Sequence, residues 1–434
     1  MNKRIYSLFM VLIMCIICIN ICGCGRKAQS NTTEAVFAEQ TTTKKQETTS
    51  KEQVTTTKEQ ETTKEQESTK EQVTTSKEPE THTEEESIRL KVEEKLSSMS
   101  LHEKVCQMFV ITPESLTGYN KVTEAGEQTR INIEKYPIGG LVYFAYNLIN
   151  PTQTMEMLNN VQRYSINTIG IPLFTCIDEE GGRVLRIGNN EAFGETKIGS
   201  MDKVSSKEEA YNIGSTIGLY LRKYGFNVDF APVADVITNK KNNVIGDRSF
   251  GTDANIVATY ASAVSDGLHS AGVLSTFKHF PGHGATEGDT HEGFAFTNKT
   301  YEEMKACEFL PFMMAKEKGV DMIMVAHISV PSIVGDNTPC SLSYKMITEI
   351  LKGDLEYDGL VITDALNMGA IKNEYGSEEA VVMAVKAGND ILLMPEDFKS
   401  SVEAVKKAVE NGEISEERIN GSVRKILMKK FSMK

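Results

Sequence analysis

Positive charge is the first thing this sequence is short of. Its 434 residues carry 47 Lys and Arg against 60 Asp and Glu, a formal net charge of −13. A broad basic surface for nucleic acid is therefore not expected, although overall acidity says little about the charge inside a cleft. Usable cysteine is scarce as well. Four of the eight lie at positions 15, 18, 22 and 24, which leaves Cys106, Cys176, Cys307 and Cys340 widely spaced. That spacing is neither a metal-ligand motif nor the dense framework of a small disulfide scaffold. The four are expected to be mostly free and buried, with a disulfide between two of them left open.

Core-forming residues are almost missing from Gly25 to Glu86. Lys-Glu-Gln recurs at 51, 58, 64 and 70 among paired threonines, with no apolar stripe to bury. Such a segment cannot offset its ordering entropy and is expected to be disordered. As a flexible coil it would average roughly 40–50 Å end to end, which suits either a tether or a passive spacer. Ahead of it, Lys3 and Arg4 precede an apolar run from Tyr6 to Cys22, followed by Gly23-Cys24. This is the pattern of a secretory signal. Its end, Ile21-Cys22-Gly23-Cys24, resembles the bacterial lipobox, which makes Cys24 the expected lipidation site. An uncleaved membrane anchor is the alternative. Either way the rest of the chain is expected outside the cytoplasmic membrane, and in the lipobox reading a lipid anchor holds it there.

What is abundant comes after residue 87. Short apolar segments rich in β-branched residues alternate with longer stretches of helical periodicity. The predicted strands are Gln107–Thr112, Gly140–Phe144, Leu173–Ile177, Val228–Pro232, Leu274–Lys278, Met322–Ala326, Leu360–Thr363 and Asp390–Met394. Predicted helices include Thr152–Asn167, Lys207–Tyr224, Asn255–Ala271, Tyr301–Lys318, Tyr344–Leu351 and Glu378–Ala387, and a last one over Ser415–Lys430 is expected outside the sheet. Uninterrupted apolar strands separated by helices imply a parallel sheet buried on both faces. Eight such units predict an α/β fold of the (β/α)8 TIM-barrel type, with a doubly wound open sheet as the runner-up. The expected division is a signal peptide over 1–23, a disordered Thr/Lys/Glu/Gln-rich tether over 24–87, and one catalytic domain over 88–434.

In such barrels the chemistry sits where strands end. The third predicted strand ends in Asp178-Glu179-Glu180-Gly181-Gly182-Arg183, the fifth in Lys278-His279, the sixth before His327 and the seventh before Asp364. The stretch Lys278–Gly293, KHFPGHGATEGDTHEG, is the densest, with three of the seven histidines and four glycines. In an extended loop Asp289 and His291 point the same way. Asp289 could then fix the His291 tautomer and leave the other ring nitrogen to pass a proton. An incidental acidic neighbour is the plainer reading of an isolated Asp-x-His. Asp364, after Leu360-Val361-Ile362-Thr363, suits a nucleophile that forms a covalent intermediate, or equally a helix N-cap. Asp178, Arg248, Lys278 and His279 would surround it with hydrogen-bonding groups suited to a polyhydroxylated ligand. Zinc and a Schiff-base lysine are the rivals. Phe280-Pro281-Gly282 between His279 and His283 spoils the helical spacing that a metalloprotease site needs. No metal or cofactor is expected.

Taken together, these residues resemble the bacterial β-N-acetylglucosaminidases of glycoside hydrolase family 3. The motifs that carry the resemblance are Ile177-Asp178-Glu179-Glu180-Gly181-Gly182-Arg183-Val184, Phe230-Ala231-Pro232-Val233-Ala234-Asp235-Val236 and Val244-Ile245-Gly246-Asp247-Arg248-Ser249-Phe250-Gly251. They continue in Lys278-His279-Phe280-Pro281-Gly282-His283-Gly284, Asp289-Thr290-His291 and Val361-Ile362-Thr363-Asp364-Ala365-Leu366. The resemblance implies Asp364 as nucleophile, His291 as acid/base and Asp289 as its orienting partner. It implies Asp178, Arg248, Lys278, His279 and His283 as sugar-binding residues, with Arg186 and His327 as further candidates. The implied activity is retaining, exo-acting removal of terminal N-acetylglucosamine from peptidoglycan-derived or related oligosaccharides, by a monomer. A β-glucosidase or a non-catalytic wall-binding lipoprotein are the alternatives. With the sequence ending at Lys434, the additional C-terminal domain of many relatives is not expected, and the resemblance then implies the hexosaminidase branch. Thr290 replaces the more usual serine, a change expected to be mild. Whether the substrate is a muropeptide, a chitin oligomer or another glycan stays open, as does water or phosphate as acceptor.

Overall fold

A computed structural model describes residues 83–286, 288–290, 293 and 295–433. The signal peptide, Cys24, most of the expected tether and His291 lie outside the described residues.

Eight short strands carry the architecture: β1 Phe109–Ile111, β2 Gly140–Val142, β3 Phe174–Ile177, β4 Val228–Asp229, β5 Thr276–Phe280, β6 Met322–Val325, β7 Leu360–Thr363 and β8 Leu392–Leu393. Every residue in them is buried. That is why they read as continuous apolar runs: a parallel sheet covered by helices has no solvent face to require alternation. They form two parallel sheets, ordered β4-β3-β2-β1-β8 and β5-β6-β7. Single parallel bridges, Val228↔Leu274 and Val233↔Lys278, run from the β4 region to β5, and Ile362↔Ile391 runs from β7 to the residue before β8.

The helices start and stop where local chemistry dictates. Asn150 caps Pro151–Ile169 and Gly170 ends it in a left-handed conformation. Ser206 and Gly225 do the same for Lys207–Tyr224, the arrangement that satisfies orphan amide and carbonyl groups at helix ends. The expected long helix over Tyr301–Lys318 is instead two, Tyr301–Lys305 and Leu310–Glu317. Pro311 sits in the first turn of the second helix, where its missing N–H costs no helical hydrogen bond, whereas inside one long helix it would remove a bond and clash with the preceding turn. A helix also begins at Glu84, inside the expected tether. Thr83 caps it and Glu84, Glu85 and Glu86 fill its first turn, where negative charge favours the helix dipole. Val92 and Leu96 bury its inner face.

Between the sheets and helices lies one contiguous apolar core. Under the end of β5, Phe280 packs on Phe309 and Phe312 with ring centroids 5.7 and 5.2 Å apart. At the opposite, amino ends of the strands, the C-terminal helix Glu416–Ser432 is tied in by buried polar contacts. Lys429 meets Asp321 at 2.7 Å and Ser422 meets Asp390 at 2.6 Å. The four cysteines Cys106, Cys176, Cys307 and Cys340 are free, and all but Cys307 are buried. Among the described residues, no helix is long and apolar enough to cross a membrane.

Candidate active site

At the carboxyl ends of the strands opens a cavity of about 590 Å³, lined among others by Phe144, Asp178, Glu180, Arg186, Arg248, Lys278, His279, Asp289 and Asp364. These residues come from β2, β3, β5 and β7 and the loops that follow several strands. The carboxyl ends of strands from both sheets gather them although they are far apart in the chain.

The centre of the cavity wall is an ionic cluster. Lys278 Nζ donates to Asp178 Oδ1 and lies against Glu180 Oε1, both at 2.7 Å. Arg248 holds the same Glu180 through Nε and Nη2, again at 2.7 Å each. Burial alone would push the Glu180 carboxyl up, but Arg248 and Lys278 outweigh it and hold it far below the usual carboxylate range. Burial pulls on Lys278 in the other direction, and the charges of Asp178 and Glu180 keep its ammonium above its ordinary value. Glu180 and Lys278 are thus both held in their charged forms despite burial. A two-pronged guanidinium on a carboxylate also fixes geometry, since both groups are planar.

A second chain of contacts starts at His279. Its Nδ1–H donates to Asp235 Oδ2 at 2.7 Å. Asp235 also accepts the backbone N–H of His279 at 3.2 Å and of His283 at 2.6 Å. Burial would raise this carboxyl, but His279 leads a set of partners that lowers it. With Nδ1 engaged, His279 presents Nε2, 3.5 Å from Arg248 Nη2.

Asp364 sits just past β7 and lines the cavity. Its Oδ1 accepts the Ala365 N–H at 2.8 Å. Burial pushes its carboxyl up, yet the rings of His279 and His327, the Ala365 amide and Lys278 together hold it below the usual range. It is therefore an ionised carboxylate at the edge of a polar cavity. Two glycines, Gly181 and Gly182, turn the chain back after β3 at φ of 106° and 57°, backbone that glycine adopts without strain. Glu179 then gathers the amides of Arg186, Ile187 and Gly188 at 2.6, 3.1 and 2.7 Å. This brings Arg186 to the cavity, 3.8 Å from Asp178 and over the Phe144 ring.

Not every expected residue reaches the cavity. His283 is 1% exposed and lies beneath the cavity wall. His327 is buried too, with Nδ1 2.7 Å from Ser341 Oγ and Nε2 2.9 Å from the Ala365 carbonyl. That contact braces the turn carrying Asp364 rather than facing the opening. Asp289 lines the cavity, and His291, expected beside it, falls outside the described residues. Conversely, Glu180 and Asp235 hold the site together without having been singled out. Their signal was present in the strand-end motifs, but partners 68 and 44 residues away decide their roles. Among the described residues no group of three or more His, Cys, Asp or Glu could hold a metal ion.

An α/β fold with its polar cluster at the carboxyl ends of parallel strands is the architecture of many enzymes, and comparison with known proteins is more specific. Residues 100–428 match the glycosyl hydrolase family 3 N-terminal domain, and the chain belongs to this family. It is 33% identical over 320 residues to beta-hexosaminidase A of Pseudoalteromonas piscicida, covering 68% of this chain and 53% of that one. It is 31% identical over 292 residues to a beta-hexosaminidase of Xanthomonas euvesicatoria pv. vesicatoria, covering 65% and 84%. Among solved structures, a family 3 beta-N-acetylglucosaminidase from Paenibacillus sp. str. FPU-7 superposes with a TM-score of 0.72 at 37% identity, over 77% of this chain and 62% of that one. The chain thus spans about half the length of the first relative and less than two thirds of the Paenibacillus chain.

Proposed function

We propose that this chain is a retaining exo-β-N-acetylglucosaminidase that cleaves terminal N-acetylglucosamine from peptidoglycan-derived or related oligosaccharides. The observation that carries the reading is Asp364, an ionised carboxylate at the end of β7 that faces a cavity walled by Asp178, Arg248, Lys278 and His279. The names of the similar beta-hexosaminidases support the specificity.

In this reading Asp178, Arg248, Lys278 and His279 hold the hydroxyl groups of the sugar, with Arg186 at the rim. Asp364 attacks the anomeric carbon while His291, oriented by Asp289, protonates the departing glycosidic oxygen. The same histidine then takes a proton from water as water displaces Asp364. Most retaining glycosidases use two carboxylates for this exchange, and a histidine here would not repel a carboxylate on the departing sugar. We further propose that the two sheets close into a (β/α)8 barrel, a reading supported by the bridges on either side of β5-β6-β7. A lipid on Cys24 and a tether from there to about residue 83 would hold this domain outside the cytoplasmic membrane.

The test is an assay of the purified protein on a β-N-acetylglucosaminide and a β-glucoside, beside Asp364→Ala and His291→Ala. Preference for the acetamido sugar is expected, with losses on the order of 10³-fold or more for Asp364→Ala. Preference for the glucoside would overturn the specificity, and an active Asp364→Ala enzyme would overturn the mechanism.

A further inference from the structure

Thr290 stands between the two residues of the proposed proton-transfer pair, and it is nearly inaccessible at 1% exposure. Its Oγ1 lies 3.2 Å from His283 Nε2. On the other side of the ring, His283 Nδ1 lies 3.0 Å from Thr286 Oγ1, whose own proton goes to the His283 carbonyl at 2.8 Å. A hydroxyl has one proton to give. With that proton on the carbonyl, Thr286 can only accept from the ring, so Nδ1 carries the hydrogen and Nε2 keeps its lone pair. That lone pair accepts the Thr290 hydroxyl. Burial, then the neighbouring His279, lowers the His283 ring below its ordinary value and keeps this neutral form.

His283 is itself tied down through its backbone. Its amide is bound by Asp235 and its carbonyl accepts the Asn242 side chain at 2.8 Å. Gly284 lets the turn lie flat on the neighbouring chain, since a Cβ there would meet the Val236 carbonyl oxygen at 2.2 Å. The Thr290 carbonyl, in turn, accepts the Ala370 N–H at 3.1 Å, in the segment that follows Asp364. Residue 290 is therefore clamped from two sides, by the turn after β5 and by the chain after β7.

We propose that Thr290 is a positioning residue: its hydroxyl on His283 and its carbonyl on Ala370 set where the Asp289–Thr290 backbone stands relative to Asp364. His283 is then the anchor of this loop rather than a sugar ligand. The inference rests on the reading that Asp364 attacks and His291 transfers the proton.

Leaving groups separate positioning from mere structure. A dinitrophenolate departs without protonation, whereas a sugar alkoxide needs a general acid, whose contribution is about 10²–10⁴-fold. The measurement is kcat/KM for Thr290→Val, Thr290→Ser and His291→Ala on 2,4-dinitrophenyl β-N-acetylglucosaminide and on N,N′-diacetylchitobiose. Thr290→Val should lose ~10–100-fold on the disaccharide and under ~3-fold on the activated substrate, while Thr290→Ser, which keeps the hydroxyl, should stay close to the parent on both. Equal losses on both substrates for Thr290→Val, or no loss on either, would overturn the proposal. A selective loss for His291→Ala without one for Thr290→Val removes the positioning role alone. No selectivity for His291→Ala removes the underlying mechanism and the inference with it.

Discussion

Lys278 and His279 are consecutive residues of one strand, and both line the same cavity. A regular strand would send them to opposite faces. The pairing of β5 with β6 shifts between Lys278 and Phe280, so that Lys278 faces Met324 and Phe280 faces the next residue, Val325. An extra residue in the pairing and a cis Lys278–His279 peptide bond coincide here, so the regular alternation is broken at His279, and Phe280 is left pointing into the aromatic cluster with Phe309 and Phe312.

The ammonium of Lys278 balances two carboxylates in this arrangement. Lys278→Met should leave Asp178 and Glu180 side by side without the ammonium between them, Glu180 keeping Arg248 and Asp178 keeping Arg186 at 3.8 Å. Removing one partner of a buried ion pair costs about 3–5 kcal/mol, so urea unfolding should move by that order. A double-mutant cycle with Glu180→Gln should show strong coupling, since the two residues are in contact. Additive effects would mean the cluster is a surface-like set of independent charges.

Asp235 concentrates three hydrogen bonds on one buried carboxylate, from the His279 ring and from the amides of His279 and His283. Asp235→Asn replaces one acceptor oxygen by a donor that meets a donor. A loss of about 3 kcal/mol is expected, the scale of charged hydrogen bonds left unmade. The folded carboxyl lies below its ordinary 3.8. Its contribution is therefore fully present above that value and fades as pH falls through the lower folded value. Unfolding curves of parent and variant should converge in acid and stay apart at neutral pH; a constant gap at every pH would refute the ionic part of the argument.

Much of this was legible in the sequence for identifiable reasons. Strands buried on both faces advertise themselves as apolar runs, and Leu360–Thr363 is found where expected. Asp178, Lys278 and Asp364 were visible because polar residues at strand ends break those runs. The placement of His283 was not, because a turn rich in glycine gives no periodicity from which to tell the cavity side from the core side. The shift at Lys278 and Phe280 was hidden for a related reason: a bulge is decided by the partner strand. The helix at Glu84 was hidden by company, its three glutamates looking like more of the acidic repeat before them, although an acidic first turn after a threonine is a helix start. Pro311 carried its own warning of a break that the apolar periodicity around it obscured.

At the far end of the molecule from the cavity, Lys430 of the C-terminal helix is buried with its Nζ 2.8 Å from Gln107 Oε1 and 2.7 Å from the Gly139 carbonyl, over the Phe174 ring. Its contacts span the starts of β1, β2 and β3, so this one side chain pins the helix beneath three strands. Burial brings its ammonium down from 10.5 to about 7. Because the folded value lies below the unfolded one, the unfolded chain holds the proton between these two pH values and the folded chain does not. Stability should therefore rise with pH from about 7 to about 10. The full excursion is on the order of 5 kcal/mol, with the two acceptors and the aromatic ring working to reduce it. Lys430→Met keeps the stem's packing, removes the titration and leaves the Gln107 and Gly139 oxygens without their donor. Urea unfolding at pH 7, 8.5 and 10 should show the parent gaining stability across the series and the variant gaining distinctly less. Parallel trends would mean that the ammonium keeps its proton inside the fold, stabilised by those oxygens despite burial.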